Sequence, residues 1–224
     1  MKLHSLHIGK LHRVEEGKNI KVVFETGMLK DSINGEVFCT QMGFIGDCVS
    51  DTKNHGGLEK AVFANSLQNY AIWSKYLKKD MKIGFMGENL CIDGLDENKV
   101  CVGDIHKIGS LVLQVSQPRK PCFKISGVWD DKGFTKEIFK TGLTGWYYRV
   151  LEAGSAKRGD EIEIVKKDEV CMSVMEVNML FYDPKNHLNL MDKFKRLKTL
   201  SSGWESVIAK RIKGVYDNSY MSEL

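Results

Sequence analysis

Short apolar runs alternate with turns rich in glycine, aspartate and asparagine over about the first 166 residues. Several runs alternate apolar and polar residues, which is typical of half-buried antiparallel strands. The pattern predicts strands at 20–25, 99–108, 111–116 and 161–165. Many short strands with regular turns favour a sandwich or a barrel.

One segment in this region has a helical pattern instead. Between 66 and 79 the apolar residues recur at helical spacing, at Leu67, Tyr70, Trp73, Tyr76 and Leu77. This spacing predicts a helix that packs its apolar face on the β structure.

The period changes again after a charged link at 166–169. Ser173 and Ser202 each begin an S-x-x-E sequence, the capping box of a helix start, and an amphipathic segment lies between them. The pattern predicts three short helices. We therefore expect a mainly β domain, a barrel with packed helices, at 1–167, followed by a small all-α unit of three helices at 168–224.

The composition is that of a globular protein, with 224 residues, 42% apolar, and a formal net charge of +4. This charge suits an anionic small ligand but is too weak to indicate nucleic-acid binding. We interpret the basic run at 193–198 as a solvated helix face. No apolar run is long enough for a membrane span, and the N-terminus lacks a signal-peptide pattern, so we expect a cytoplasmic protein.

The six cysteines are scattered and contain no C-x-x-C pair, so a zinc site is not expected. A reducing compartment would keep all of them as thiols. Cys39, Cys91 and Cys101 follow apolar neighbours and are expected to be small buried hydrophobes.

Cys122 has different surroundings. Two of the three prolines in the chain, Pro118 and Pro121, lie within four residues of it, and Arg119 and Lys120 lie between them. The prolines stiffen the exit from the strand at 111–116, and the cations favour a thiolate. A thiolate can be a nucleophile or a soft metal ligand, and the local sequence leaves both roles open.

Three other segments carry candidate binding residues. The segment at 46–62 contains His55 and Lys60, which flank a Gly-Gly pair and can donate to an anion. The segment at 84–90 contains Asn89 between glycine-rich turns. Arg149 stands among aromatic and apolar residues, where an arginine pairs either with an acid or with a bound phosphate.

The order of these segments is more specific than any one of them. GD-x₃-D-x₃-HGG-x₂-KAV, GENL, GD-x₃-IG, VSQPR-x-PC-x-K, GWY-x-RVL-x₂-G and GDEI follow one another along the chain. This order resembles the molybdenum-cofactor sulfurase C-terminal (MOSC) family, and within it the bacterial YiiM-like branch, which has a C-terminal three-helix appendage. The resemblance covers essentially the whole chain.

The resemblance implies a β-rich barrel that binds the molybdenum cofactor, with the thiolate of Cys122 as a ligand of molybdenum. The implied activity is a reductase that removes oxygen from N-hydroxylated compounds such as 6-hydroxylaminopurine, in a detoxifying role. Electrons would come from a separate reductase, because the chain has no dinucleotide fingerprint and no cysteine cluster for an iron–sulfur centre. Homodimer formation is left open. The candidates for cofactor contact are His55, Lys60, Asn89, Arg119, Lys120 and Arg149.

Three alternatives use the same residues differently. The protein could carry the cofactor, or a sulfur group on Cys122, without turnover. Cys122 could be a cofactor-free nucleophile activated by His55. The basic C-terminal helices could instead form a module that binds a partner or nucleic acid.

Overall fold

A computed structural model of the protein describes residues 1–51 and 55–219. The gap contains Thr52, Lys53 and Asn54 of the His-Gly-Gly segment, and the last five residues of the expected C-terminal unit also lie outside the described part. Helix makes up 28% of the chain and strand 29%, in one large mixed sheet plus six helices among the described residues, and all the strands precede the three C-terminal helices, as the pattern predicts.

The strands are, in chain order, β1 (Lys2–Gly9), β2 (His12–Val14), β3 (Phe24–Thr26), β4 (Lys30–Ile33), β5 (Val37–Thr40), β6 (Gly43–Phe44), β7 (Val62–Ser66), β8 (Leu90–Asp93), β9 (Ile105–Ile108), β10 (Leu111–Pro118), β11 (Trp146–Glu152), β12 (Gly154–Ala156) and β13 (Ile162–Lys166). The α-helices are α1 (Leu67–Leu77), α2 (Phe123–Trp129), α3 (Phe134–Thr141), α4 (Val174–Tyr182), α5 (Met191–Arg196) and α6 (Trp204–Ile212). Short 3₁₀ turns lie at Leu58–Lys60, Pro184–Asn186 and Leu188–Leu190. In the described part, no helix is both apolar enough and long enough to cross a membrane.

Eight strands form one mixed sheet in the order β13-β9-β10-β11-β7-β8-β1-β4, in which β7 and β8 are parallel and the other pairs antiparallel. Three backbone hydrogen bonds also join the start of β1 to the chain before β13, including Leu3 N to Asp160 O at 2.9 Å and Ile162 N to Met1 O at 3.0 Å. These bonds bring the β13 edge of the sheet to β1, which is next to the strand at the other edge, β4. A continuous closed barrel stays a prediction.

Two of the predicted strands are confirmed, as β10 and β13, and two are shorter than predicted. Of the segment at 99–108 only β9 is a strand, because the Asp104 carboxylate accepts a hydrogen bond from Cys101 N at 3.0 Å and closes a turn there. Of the segment at 20–25 only the end belongs to β3. The backbone N–H of Ile20 instead donates to the Asp130 carboxylate at 2.9 Å.

The predicted helix at 66–79 is confirmed as α1. Its buried face packs with the two helices that follow Cys122, α2 and α3, in an apolar cluster that includes Trp73, Trp129 and Phe134. The sequence pattern gave no prediction for α2 and α3. Because of these two helices, the first 167 residues contain more helix than the pattern predicts.

The three predicted C-terminal helices are confirmed as α4, α5 and α6. Ser173 forms the predicted capping box at the start of α4. The second predicted box is wrong: α6 begins after Gly203, whose φ of 88° lies in the region that favours glycine, and Ser202 makes no capping bond. Since Gly203 directly precedes Trp204, it lets the chain turn sharply so that Trp204 enters the core.

The C-terminal helices share the main apolar core with the sheet. Phe181, Trp204 and Ile208 belong to one buried cluster with Leu111, Leu113 and other sheet residues. The division into 1–167 and 168–224 stays a prediction, and a shared core means that removing the helices would expose the apolar face of the sheet.

Candidate functional site

Two neighbouring cavities lie where β10 ends, one of about 70 Å³ and one of about 450 Å³. The two cavities share six lining residues, which are Asp51, His55, Lys60, Cys122, Lys124 and Tyr147. The smaller cavity is also lined by Lys30, Asp47, Asn89 and Arg119. Cations outnumber carboxylates in its wall, so the space favours an anionic ligand.

Cys122 is held at the boundary between the cavities by the end of β10. The register of β10 on β11 shifts between Val115 and Gln117, which is a β-bulge, and bulges re-aim the side chains that follow. Pro118 and Pro121 are both buried, and the Cys122 carbonyl accepts hydrogen bonds from Ile125 N and Thr135 Oγ1, each at 3.1 Å. The half-buried thiol is therefore presented from a fixed backbone.

Arg119 is 4% exposed and its guanidinium lies over the Phe63 ring, 5.0 Å from the centroid. Within residues 1–51 and 55–219, its Nε and Nη1 atoms have no hydrogen-bond partner. A buried cation with unused donors is costly unless a ligand completes it. Because Arg119 lines the smaller cavity, this ligand is expected to be an anion there.

His55 and Lys60 line both cavities, as the sequence predicts for an anion site. His55 Nδ1 lies 3.3 Å from the Tyr147 hydroxyl. Burial, and next the Arg119 cation, lower the pKa of His55 from 6.5 to about 4, so its ring is neutral at neutral pH. Gly57, with φ of 92°, begins the 3₁₀ turn that carries Lys60, and burial lowers the pKa of Lys60.

Asn89 lines the smaller cavity, but its side chain is already engaged by the protein. Its Oδ1 accepts from Phe63 N at 3.1 Å, and its Nδ2 donates to Asp47 Oδ2 at 2.7 Å. Asp47 in turn pairs with Lys30. The arrangement makes Asn89 a brace between β7 and the 44–51 loop, and cofactor contact by Asn89 stays a prediction.

Lys120 lines the larger cavity and faces the C-terminal helices. Its Nζ lies 4.4 Å from the centroid of Trp204 and 5.4 Å from that of Phe181. Burial, and then the Lys60 and Arg211 cations, lower the pKa of Lys120 to about 8. Tyr216 lines the same cavity, so the C-terminal unit supplies part of its wall.

Arg149 is not brought to either cavity lining, as far as the described residues show. Its guanidinium donates to the Glu59 carboxylate, to Gln114 Oε1 at 2.7 Å and to Thr199 O at 2.8 Å. Of the two roles that the sequence leaves open for this arginine, the structure shows the pairing with an acid. Phosphate contact by Arg149 has no geometric support.

Sequence reasoning did not single out several residues of the cavity walls, among them Phe63, Lys124 and Tyr147. Lys124 belongs to the motif around Cys122, and its Nζ donates to Glu25 O at 2.9 Å. Phe63 and Tyr147 are paired across β7 and β11, with ring centroids 5.1 Å apart. The run of three consecutive aromatic residues at 146–148 could have indicated Tyr147, but only strand pairing identifies Phe63 as its neighbour.

The site thus combines a half-buried thiol with a wall rich in cations, at the end of a strand in a mixed sheet, an arrangement that suits an anionic ligand with a soft centre. The model of the MOSC domain matches residues 51–163, which include His55, Lys60 and Cys122. The MOSC domain is associated with molybdenum-cofactor binding.

Individual relatives agree with this match. YflK of Bacillus subtilis is 34% identical over 208 residues, covering 92% of each chain. A protein of Gibberella moniliformis named reductase is 32% identical over 176 residues, covering 77% of this chain and 31% of that protein. The crystal structure of YiiM from Geobacillus stearothermophilus superposes with a TM-score of 0.77 at 26% identity, covering 94% of this chain and 98% of that one. The chain belongs to the YiiM-like MOSC family.

Proposed function

We propose that the protein is a molybdenum-cofactor-dependent reductase that removes oxygen from N-hydroxylated compounds such as 6-hydroxylaminopurine. The observation that carries the proposal is the position of Cys122, whose half-buried thiol lines both cavities beside the unpaired donors of Arg119. The name of the Gibberella relative supports a reductive reaction.

The residues of the site fit such a cofactor. Among the described residues, no group of three or more His, Cys, Asp or Glu could hold a metal ion by itself. A metal at this site would have to bring ligands of its own, as a dithiolene does, and would need only one soft protein ligand. Cys122 can supply that ligand. The orphaned Nε and Nη1 of Arg119 suit the oxygen atoms of an anionic pterin or phosphate.

In this proposal Cys122 ligates molybdenum, and Arg119, Lys60 and His55 contact the pterin or its phosphate. The bound cofactor supplies two-electron redox chemistry. Lys120 and Tyr216 line the larger cavity but not the smaller one, and the substrate would bind in the larger cavity. A cavity of about 450 Å³ accommodates a purine-sized molecule.

The chain also determines where protons are held. Because the pKa of His55 is about 4, its neutral ring can exchange a hydrogen bond with Tyr147 but cannot be a reservoir of protons at neutral pH. The pKa of Lys120 is about 8, so its Nζ holds a proton at neutral pH and can release it near that pH. Glu88 is fully buried and bonded to Tyr70 and Gly84, outside both described cavity linings. Lys120 therefore places a cation in the wall of the larger cavity, beside the rings of Trp204 and Phe181.

Electrons are supplied by a separate reductase in this proposal. A chemical reductant can replace that partner in a test. Wild-type protein and Cys122→Ser are expressed in a host that makes the cofactor, and molybdenum and pterin are measured in each. Reduced viologen is then added with 6-hydroxylaminopurine, and the product adenine is quantified.

The matched control is Cys48→Ser, which changes a thiol in the wall of the smaller cavity only. We expect the wild type and Cys48→Ser to hold molybdenum and form adenine, and Cys122→Ser to lose both. If Cys122→Ser retains molybdenum and turnover, the assignment of the ligand is wrong. Molybdenum without turnover in the wild type would identify a carrier instead.

A further inference from the structure

Two thiols that line neither cavity of the candidate site lie in direct contact. The Sγ atoms of Cys101 and Cys171 are 3.1 Å apart, although the residues are separated by 70 positions in the chain. Both are free cysteines. A disulfide has an S–S distance of about 2.05 Å, so a closure of about 1 Å would join them.

The backbone on each side holds this contact in place. Val102 N donates to Met172 O at 2.9 Å, and Val174 N donates to Val100 O at 2.8 Å, so the two segments run antiparallel. Cys171 has φ of 51°, a left-handed conformation that residues with a side chain adopt rarely. Its N–H donates to Asp168 O at 3.1 Å, which helps to fix that conformation.

The two thiols differ in their access to solvent. Cys171 is exposed, whereas Cys101 is only 4% exposed. Burial, then the hydrogen bond with Cys171 and the charge of Asp104, raise the pKa of the Cys101 thiol to about 12. Small oxidants in solution therefore reach Cys171 first, while the buried Cys101 next to it stays a protonated thiol.

A shared metal is a poorer explanation of the contact. Two thiolates on tetrahedral zinc, with Zn–S bonds of about 2.3 Å, are held roughly 3.8 Å apart. The Sγ atoms here are closer than that, and the described residues contain no group of three or more metal-binding side chains. The geometry favours a bond between the sulfur atoms.

We propose that Cys101 and Cys171 are a redox-active pair that peroxides oxidise to an intramolecular disulfide. The Cys171 thiolate attacks hydrogen peroxide, forms a sulfenic acid and releases hydroxide. The Cys101 sulfur then attacks the sulfenic sulfur, and the displaced hydroxide leaves as water with the Cys101 proton. In total, two thiols and one hydrogen peroxide give one disulfide and two waters. A dithiol reductant reverses the reaction.

The bond would join the turn before β9 to the segment that leads into α4. It therefore ties the C-terminal helices to the sheet at the point where the chain passes from one to the other. A cross-link that closes a loop of this length stabilises the folded state, and we expect the melting temperature to rise by roughly 5–10 °C on oxidation. This proposal does not depend on the proposed reductase activity.

The test begins with fully reduced protein, treated with hydrogen peroxide and then alkylated. Peptide mapping reads out whether residues 101 and 171 occur in one cross-linked peptide lighter by two hydrogens than the separate thiol peptides. Cys48→Ser is the matched control. We expect the cross-link in the wild type and in Cys48→Ser, its absence in Cys171→Ser, and its disappearance after dithiothreitol.

A second variant examines the order of the steps. Cys101→Ser removes the resolving thiol, so sulfenic acid on Cys171 should accumulate and be trapped by dimedone several-fold more than in the wild type. The proposal is overturned if Cys101 in the wild type stays fully alkylatable while Cys171 becomes sulfinic or sulfonic acid. It is overturned equally if the protein binds zinc stoichiometrically and Cys171→Ser does not.

Discussion

Arg119 and Phe63 form a cation–π contact at the wall of the smaller cavity, with the guanidinium carbon 5.0 Å from the ring centroid. The ring covers one face of the guanidinium, while two of its nitrogen atoms have no partner in residues 1–51 and 55–219. Cation–π attraction offsets part of the cost of burying the charge but does not satisfy the N–H groups. This combination is expected of a ligand-binding arginine.

Replacing Arg119 with glutamine should separate binding from folding. Because an uncompensated buried charge is removed, we expect the cofactor-free protein to keep or slightly raise its melting temperature. Cofactor content should fall on the order of tenfold or more, as charge-assisted hydrogen bonds are lost. Molybdenum and pterin assays beside thermal unfolding measure both, with the exposed Arg158→Gln as control. A lower melting temperature with unchanged cofactor content would make Arg119 a structural residue.

Arg149→Gln should have the opposite effect. The change removes the ion pair with Glu59 and a hydrogen bond to Thr199 O, and we expect a loss of about 1–3 kcal/mol in the free energy of unfolding. Urea unfolding of Arg149→Gln, Glu59→Gln and the double variant measures the coupling. We expect a coupling energy of about 0.5–1 kcal/mol between Arg149 and Glu59, because both side chains are partly exposed. Normal stability with lost cofactor would return Arg149 to the binding residues.

The two serines of the predicted capping boxes offer a matched pair. Ser173 accepts a hydrogen bond from Glu176 N at 3.0 Å, and the Glu176 carboxylate accepts one from Ser173 N at 2.8 Å. Ser173→Ala should therefore cost about 1 kcal/mol. Ser202→Ala should change the free energy of unfolding by less than about 0.5 kcal/mol, because Ser202 caps nothing. Urea titration of the two variants decides, and equal losses would contradict the assignment of the caps.

Stability should fall when the pH drops from 6.5 toward 4, partly because of His106. Burial lowers the pKa of His106 to about 4, against a partial opposing effect of Asp104, so the unfolded chain binds the proton more readily than the folded one. The stabilising contribution is complete above pH 6.5 and lost as the pH falls through about 4. His106→Gln should flatten the fall, measured as free energy of unfolding between pH 4.5 and 7.5. An unchanged slope would show that His106 does not contribute.

Local sequence signals were sufficient where the structure depends on neighbours in the chain. The helical spacing of Leu67, Tyr70 and Trp73 and the capping box at Ser173 act within a few residues, and both predictions are confirmed. The same reasoning failed at Ser202. There the positive φ of Gly203 sets the start of α6, and the S-x-x-E spacing alone does not reveal it.

The sequence predicted several residues of the candidate site but not which side chains contact one another. The prolines and cations around Cys122 indicated a rigid, charged segment, and the structure brings Cys122, His55, Lys60 and Arg119 to one cavity wall. The partner of Arg149 was not predictable, since Glu59 lies 90 positions earlier and only the pairing of strands brings it near. The Phe63–Tyr147 contact depends on strand pairing in the same way.

Gln117 has a consequence for how far this chain can be altered. Its Oε1 accepts from Ser201 Oγ at 2.8 Å and from Trp204 Nε1 at 2.7 Å, and Gln117 directly precedes Pro118 in the motif that carries Cys122. The strand that delivers the thiol is therefore also the anchor of the last helix. Deleting a single residue between Gln117 and Cys122 would leave the anchor in place and draw the thiol back from both cavities. The five positions from Gln117 to Cys122 therefore fix where the thiol lies relative to the last C-terminal helix.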